Sequence, residues 1–593
     1  MFFLFFNSAD FEVMSSTETE SELSDFYNSS SSSSDEEEDP VTIPVPKKVR
    51  TRGGYRRGGS NISSRPVVDQ EKWVPYETAP FEPNIPPFTS IPGPTTEPKD
   101  TVVQFVEQIL TDEFIQLIVD QTNLYATQFL DREVPTTKSR SKEWKEVTIE
   151  DIRKYISLSI LMGIHTLPSI PDYWSTNTLK YNSVYKKTMS RNRYVLFFII
   201  IVQYMITLWQ SFLLVTLYVS FLFFVRYQLI SKFLHFADNT HYDPNDKTRD
   251  RLYKVRPVID YFNKTFKELY TPGQRISIDE QLLLHKGNLH FKQYIPNKRS
   301  RFGIKFFSLC DETGYLYSTE VYVGKNNIND GDLENKHLGK TGQVVMRLME
   351  PLLDKGYRLF VDNWYTSFAL FKSLADHQTP ACGTVRKNRA RFPTSFVSKK
   401  LNSGECLYVS QDNVLGMRFH DKRDVFFLST FHTPKSMATS KFDNNGERVF
   451  KEKLVMDYNS GMGFVDKNDA ITSQHNMVRK CHKWTSKVVF HFIEEALFNA
   501  HVLYEMAPNQ SLTYTNFKLA YVEAILNSRG GSNHTQNFDG YHYPEKVPMP
   551  SRMKRCVYCY KNGIEKRSRY QCDNCHGNPG LCVTPCFKEY HQN

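Results

Sequence analysis

The spacing of apolar positions divides the chain into blocks. From about Asp100, Val103, Phe105, Val106, Ile109, Leu110, Phe114, Ile115, Leu117, Ile118 and Val119 recur at three- and four-residue intervals, which predicts helix. Thr148, just before Ile149-Glu150-Asp151-Ile152, has N-cap chemistry, and helix is expected through Leu161. Strands are expected at Arg275–Asp279 after a Pro272-Gly273 turn, at Gly303–Cys310 and at Leu316–Val323. The last two flank a turn at Asp311-Glu312-Thr313-Gly314. Tyr357–Val361 reads as a short buried strand, with a helix over Ser367–Ala375 behind it. Strand pairs followed by strand-to-helix units predict an α/β core.

Residues 1–98 carry no such pattern. A serine run ends in Asp35-Glu36-Glu37-Glu38-Asp39, which cannot bury apolar surface. Lys47, Lys48, Arg50, Arg52, Arg56 and Arg57 follow among glycines, and proline-rich sequence leads to Pro98. Disorder is expected throughout this tail. Residues 194–225 are the opposite extreme, with no charged side chain and no histidine, and by hydropathy alone they are long enough to span a membrane.

Composition adds a sign. The 593 residues carry a net charge of +9, yet residues 1–40 hold eleven acids and no Lys or Arg. The remainder is therefore strongly basic, which suits a polyanionic partner such as nucleic acid. A hydrophobic share of 40% excludes fibrous and wholly disordered classes. Six of the ten cysteines fall after Met553, which points away from a disulfide scaffold and toward an intracellular metal site.

Carboxylates stand where metal chemistry could use them. Asp279 ends its predicted strand, Asp362 follows the strand at Tyr357–Val361, and Asp466 and Asp469 share a face of a predicted helix. Such oxygens suit Mg²⁺, and two ions can activate one oxygen and stabilise another in phosphodiester chemistry. Aspartate is also common at strand ends as a turn or cap residue. The tail spacing is sharper. Cys556-x2-Cys559, Cys572-x2-Cys575, Cys582-x3-Cys586 and His591 are thiolate and imidazole ligands at zinc-finger spacing, for one or two Zn²⁺ ions.

Five ordered stretches carry a resemblance. SIDEQLLLHKG (277–287), QYIPNKRSRFGIKFF (293–307), VDNWYTSFALF (361–371), GTVRKNRARFP (383–393) and DYNSGMGFVDKND (457–469) are similar to the piggyBac transposase family, over about residues 100–593. The resemblance implies an RNase H-like core with a DDD site that cuts and joins double-stranded DNA at transposon ends and TTAA targets. Asp279, Asp362 and Asp466 would then be the catalytic ligands of two Mg²⁺ ions, with Asp469 accessory. Asp457 is expected in a cap or turn, and Phe464 departs from the family's usual Gly. Lys292, Lys298, Arg299, Arg301 and Lys305, and in the tail Arg555, Lys566, Arg567 and Arg569, are the expected DNA contacts. PGLCVTPCFKEYH (579–591) is similar to the family's cysteine-rich DNA-binding domain. A homodimer in the nucleus is expected. The alternatives are a domesticated DNA-binding protein of the same fold and a membrane-anchored zinc-finger protein.

The domain scheme is then a tail (1–98), a helical dimerisation and DNA-binding domain (99–274), a first segment of the RNase H-like core (275–388), an insertion domain (389–452), a second segment of the core (453–475), a returning helical region (476–545) and the zinc domain (546–593). Joining Tyr194 to Gln228 restores a stretch similar to the family. Residues 195–227 therefore read as a retained intron rather than a membrane span.

Overall fold

The helix expected after Asp100 is two helices, α1 (Val102–Glu107) and α2 (Asp112–Arg132). Thr101 and Gln104 close a capping box on α1, and the Thr111 hydroxyl accepts the Phe114 amide at 3.3 Å to start α2. α3 (Ile149–Ile164) begins at Thr148 as its cap chemistry requires, with Thr148 Oγ accepting the Asp151 amide at 3.3 Å. The short α4 (Ser183–Thr188) and the long α5 (Arg256–Leu269) follow.

In this computed structural model the described residues are 73–132, 141, 144–175, 177–189, 226–241, 246, 249–296, 301–324, 335–389, 394–442, 446–477, 483–527, 545–547, 553–572, 575 and 578–592. They fall into two units, divided between Leu526 and Asn527. Residues 73–98, expected in the tail, are among the described residues. Trp73 is buried against Phe368 (rings 5.4 Å apart), and β1 (Val74–Pro75) pairs with the main sheet. The apolar ring of Trp73 supplies the burial that the serine-acid run lacks.

The sheet of the first unit has ten strands. After β2 (Gly93–Pro94) and β3 (Tyr270–Thr271), which pair with each other, come β4 (Arg275–Leu284), β5 (Gln293–Tyr294), β6 (Phe302–Asp311) and β7 (Leu316–Val321). Helix α6 (Gly339–Met349), β8 (Arg358–Val361), α7 (Phe368–Asp376) and β9 (Ala381–Thr384) complete an RNase H-like order, β7-β6-β4-β8-β9. β4, β8 and β9 run parallel, and β6 is antiparallel to both β4 and β7. The Asp311 carboxylate accepts from the Thr313 amide at 3.0 Å and shapes the β6–β7 turn, which Gly314 completes at φ +87°.

Beyond β9 and the short α8 (Thr394–Ser398), β10 (Cys406–Gln411), β11 (Val414–His420) and β12 (Asp424–Ser429) continue the same sheet, and β13 (Ser436–Phe442) and β14 (Arg448–Glu452) form a separate hairpin. These strands are the body of the 389–452 stretch. Both faces are covered. On β8, Leu359 and Val361 enter the large core while Phe360 enters a second cluster with Cys382, Phe427 and Leu454. Helices α9 (Lys453–Gly461), α10 (Phe464–Thr472), α11 (Trp484–Glu505) and α12 (Tyr514–Asn527) close the unit. α11 is buried on nearly every side, with charged and polar residues such as Lys487, Glu494, Glu495 and Asn499 buried among its apolar ones.

The apolar segment lies outside the described residues, apart from its end. Residues 226–233 are helical, and Arg226 and Tyr227 belong to the fold. Arg226 donates to the Lys145 carbonyl at 2.7 Å and pairs with Asp151 at 2.9 Å, while the Tyr227 hydroxyl contacts Ser159 Oγ at 3.1 Å. Arg226 and Tyr227, counted in the expected 195–227 insert, thus belong to the fold. Because Arg193-Tyr194 repeats as Arg226-Tyr227, an insert of the same length cut at 193–225 leaves the same joined sequence. No described helix is long and apolar enough to cross a membrane.

Candidate active site and metal centre

Two aspartates stand side by side where neighbouring strands stop pairing. The parallel β4–β8 pairing ends at Ile278 opposite Val361, and the next residues are Asp279 and Asp362. β4 continues to Leu284, so Asp279 sits mid-strand, where its parallel partner stops, and not at a strand end as expected. Its antiparallel partner β6 runs on beside it and keeps it extended. Asp362 does end β8. Its Oδ1 accepts the Trp364 amide at 2.9 Å, and its carbonyl accepts from Thr366 twice, turning the chain toward α7.

Burial, joined by the neighbouring Glu280 carboxylate, pushes Asp362 up to about 6, against amide donation from Trp364 and Tyr365 and the charge of Arg386. Glu280 alternates to the other face of β4 from Asp279 and pairs with Lys305. The Lys305 ammonium lies 4.4 Å from the Trp364 ring centre and 4.8 Å from that of Phe307. Expected as a DNA contact, Lys305 is instead mostly enclosed and spent on Glu280.

Helix α10 brings the other two acids. Asp466 is exposed in its first turn, and Asp469 one turn later accepts from Gln281 Nε2 at 3.0 Å. The same nitrogen donates to Asn468 Oδ1 at 2.8 Å. Asn468 donates in turn to Glu495 on α11 at 2.8 Å and to the Gly314 carbonyl at 3.0 Å. Burial pushes Glu495 up to about 8, outweighing Asn468's donation, and the Asp469 and Glu494 charges add to the rise. Phe464, the departure from the family pattern, is buried at the start of α10, 5.7 Å from the Arg275 guanidinium. Asp457 neither caps nor turns: it lies within α9, and its carboxylate meets His432 Nε2 at 3.0 Å.

Among the described residues, no set of three carboxylates has donor atoms all within 4.8 Å of one another. The donor set is nonetheless all oxygen, with Asp279 and Asp362 on adjacent strands and Asp469 hydrogen-bonded to Gln281 beside them, which fits a hard divalent ion. Sequence reasoning missed Gln281, Asn468 and Glu495. SIDEQ and DKND display the first two beside named acids, but only the fold brings Glu495 to them.

The basic residues divide. Arg301 is exposed on the β5–β6 edge beside Tyr294 and Phe302, whose rings lie 4.6 Å apart. Lys292 donates to the Gly287 carbonyl and approaches the Phe302 ring. Lys298 and Arg299 lie outside the described residues.

The second unit gathers its thiols. Its strands β15 (Glu545–Lys546), β16 (Lys554–Arg555), β17 (Arg567–Ser568) and β18 (Tyr570–Gln571) are two residues each, and its helices α13 (Val557–Lys561) and α14 (Cys586–Gln592) are short. Cys556, Cys559, Cys582 and Cys586 form one set of donors within 4.8 Å of one another, and Cys572, Cys575 and His591 a second. The pairing is crossed: the first and third Cys pairs share one set. Burial alone would raise the Cys556 thiol, but amide donation from Cys559 and Cys582 brings it down to about 7, toward the thiolate a metal needs. His591 spends Nδ1 on the Phe587 carbonyl at 2.6 Å, which leaves Nε2 facing Cys575 at 3.2 Å. These are zinc-type donors in zinc-type arrangement. Arg555 and Arg567 face each other across the β16–β17 hairpin, and Lys566 and Arg569 flank them, all exposed.

Comparisons with known proteins agree with this architecture. The family model described as Transposase IS4 matches residues 101–201 and 215–501, breaking within the apolar segment, and that described as DDE_Tnp_1-like zinc finger matches 541–592. PiggyBac transposable element-derived protein 3 of Homo sapiens is 23% identical over 83% of this chain and 76% of its own length. PiggyBac transposable element-derived protein 2 of Homo sapiens is 22% identical over 82% and 76%. A cryo-EM structure of the piggyBac transposase synaptic complex with hairpin DNA superposes with a TM-score of 0.60 at 20% identity, covering 84% of this chain and all of that one. An RNase H-like sheet with acids just past the end of its central parallel pairing, followed by a cysteine-rich module and matched along most of its length, identifies the chain as a piggyBac-like member of the Transposase IS4 family.

Proposed function

We propose that the chain is a metal-dependent DNA transposase that cuts double-stranded DNA at the ends of its own element and joins them to TTAA targets, working as a homodimer in the nucleus. The carrying observation is the side-by-side placement of Asp279 and Asp362 where the β4–β8 pairing ends, with Asp469 hydrogen-bonded to Gln281 two residues along β4. Two Mg²⁺ ions held by Asp279, Asp362 and Asp466, with Asp469 accessory, would supply an activated attacking oxygen and stabilise the leaving 3′-oxygen. The chain's own work is to orient. The turn at Asp362 fixes that carboxylate through the Trp364 amide, and Arg301 and Lys292 on the β5–β6 edge suit backbone phosphates. In the tail, Arg555, Lys566, Arg567 and Arg569 offer a second cationic face, supported by a relative solved on hairpin DNA.

The test is cleavage of duplexes taken from the ends of the encoding element. Strand breaks are expected with Mg²⁺, not with EDTA, and at least about a thousandfold fewer with Asp279→Asn. Equal cleavage by that variant would refute the assignment.

A further inference from the structure

We propose that Gln281 is a positioning residue, whose buried side-chain amide sets the rotation of α10 and so where Asp466 and Asp469 stand relative to Asp279. The inference rests on the reading that these acids hold divalent cations.

Gln281 lies two residues after Asp279, on the same face of β4, and is 1% exposed. Its Nε2 spends both hydrogens on α10, one on Asn468 Oδ1 at 2.8 Å and one on Asp469 Oδ1 at 3.0 Å. Its Oε1 accepts from Ser308 Oγ on β6, and Ser308 also contacts Thr319 Oγ1 at 3.0 Å. The amide therefore has one orientation: flipped, its oxygen would face two acceptors. Asn468, fully buried, is fixed in the same way by the Gly314 carbonyl and Glu495.

Phe464 and Val465 are buried and hold α10 against the core by apolar packing, which is not directional as a hydrogen bond is. A carboxylate about 6 Å from a helix axis moves ~2 Å for a ~20° turn, beyond what a metal site tolerates. A buried amide is costly unless every hydrogen bond is made, so a complete array at this point selects one rotation.

The experiment is Tb³⁺ titration of the full chain without DNA, read by luminescence sensitised through Trp364, two residues from Asp362. Asp279→Asn defines the signal that belongs to the acidic corner. Gln281→Met keeps the length of the side chain and removes its donors. It is expected to weaken Tb³⁺ binding about tenfold, the scale of outer-shell substitutions, while the melting temperature of the first unit stays within a few degrees. Ser308→Ala leaves both donations to α10 in place and is expected to weaken binding less than threefold. Where Gln281→Met does not fold, Gln281→Glu decides, because it keeps the size and sets an acceptor against Asp469. Parent-like Tb³⁺ binding by a folded Gln281 variant overturns the proposal. A parent signal that ignores Asp279→Asn overturns the metal reading itself, and this proposal with it.

Discussion

In the proposed reading, the acidic corner of the first unit and the cysteine module of the second hold cations in opposite ways. The corner is set in a large core, and its supporting side chains (Gln281, Asn468, Glu495) are buried and hydrogen-bonded to one another. Its carboxylates do not close on a point. The module has a core of little more than its own cysteines with Leu581 and Phe587, yet its donors are already gathered. A fold that stands without its metal can leave ligands spaced for substrate, whereas a fold made by its metal must close the shell. The difference separates a site for chemistry from a site for shape.

The comparison can be broken most sharply by removing zinc. Chelation, or Cys559→Ser, is expected to abolish the protease resistance of the second unit, since structural zinc supplies on the order of 10 kcal/mol in such modules. The melting of the first unit should not move, and elemental analysis should give two zinc ions per chain. A module that stays folded without zinc would erase the contrast.

Next in size is Asp279→Asn, expected to cost about 4 kcal/mol of transition-state stabilisation with no loss of fold. Cleavage kinetics beside a melting curve check both halves.

A third effect is on stability. Glu495 is neutral in the fold up to about pH 8 but ionises near pH 4.5 when unfolded. A raised pKa means stability present below pH 4.5 and lost as pH rises to about 8. Glu495→Gln should therefore match the parent near pH 4.5 and exceed it by a few kcal/mol at pH 8. Parallel curves across that window would show the carboxyl ionised in the fold.

The smallest expected effect belongs to Lys305→Met. Losing the partner of Glu280 leaves its charge uncompensated beside Asp362, raising that carboxyl further above 6. The Mg²⁺ needed for half-maximal cleavage should rise severalfold at pH 6.5 and less at pH 8. A change equal at both pH values would mean Lys305 acts by packing alone.

Much of this was legible in local sequence. Thr148 caps α3, Asp311–Gly314 turns β6 into β7, and the Cys-x2-Cys spacings gather thiols, because each is decided within a few residues. What failed was non-local. Asp279 reads as a strand end because the polar Asp279-Glu280 pair interrupts the apolar run, yet pairing with β6 carries β4 on to Leu284. Lys305 reads as a free cation, but its charge is claimed by Glu280. Glu495 stands out in no local motif, and only the packing of α11 against α10 brings it to Asn468. Buried partners of charged groups are chosen by topology, which motif spacing does not encode.

The central claim is that the acidic corner is a divalent-metal site. Anomalous diffraction from crystals soaked in Mn²⁺, a heavier stand-in for Mg²⁺, tests it most directly. The account predicts a peak at about 2.1 Å from carboxylate oxygens of Asp279 and Asp362, with Asp466 or Asp469 turned toward it. A map in which Mn²⁺ binds elsewhere and leaves Asp279 and Asp362 without a shared ion would contradict it.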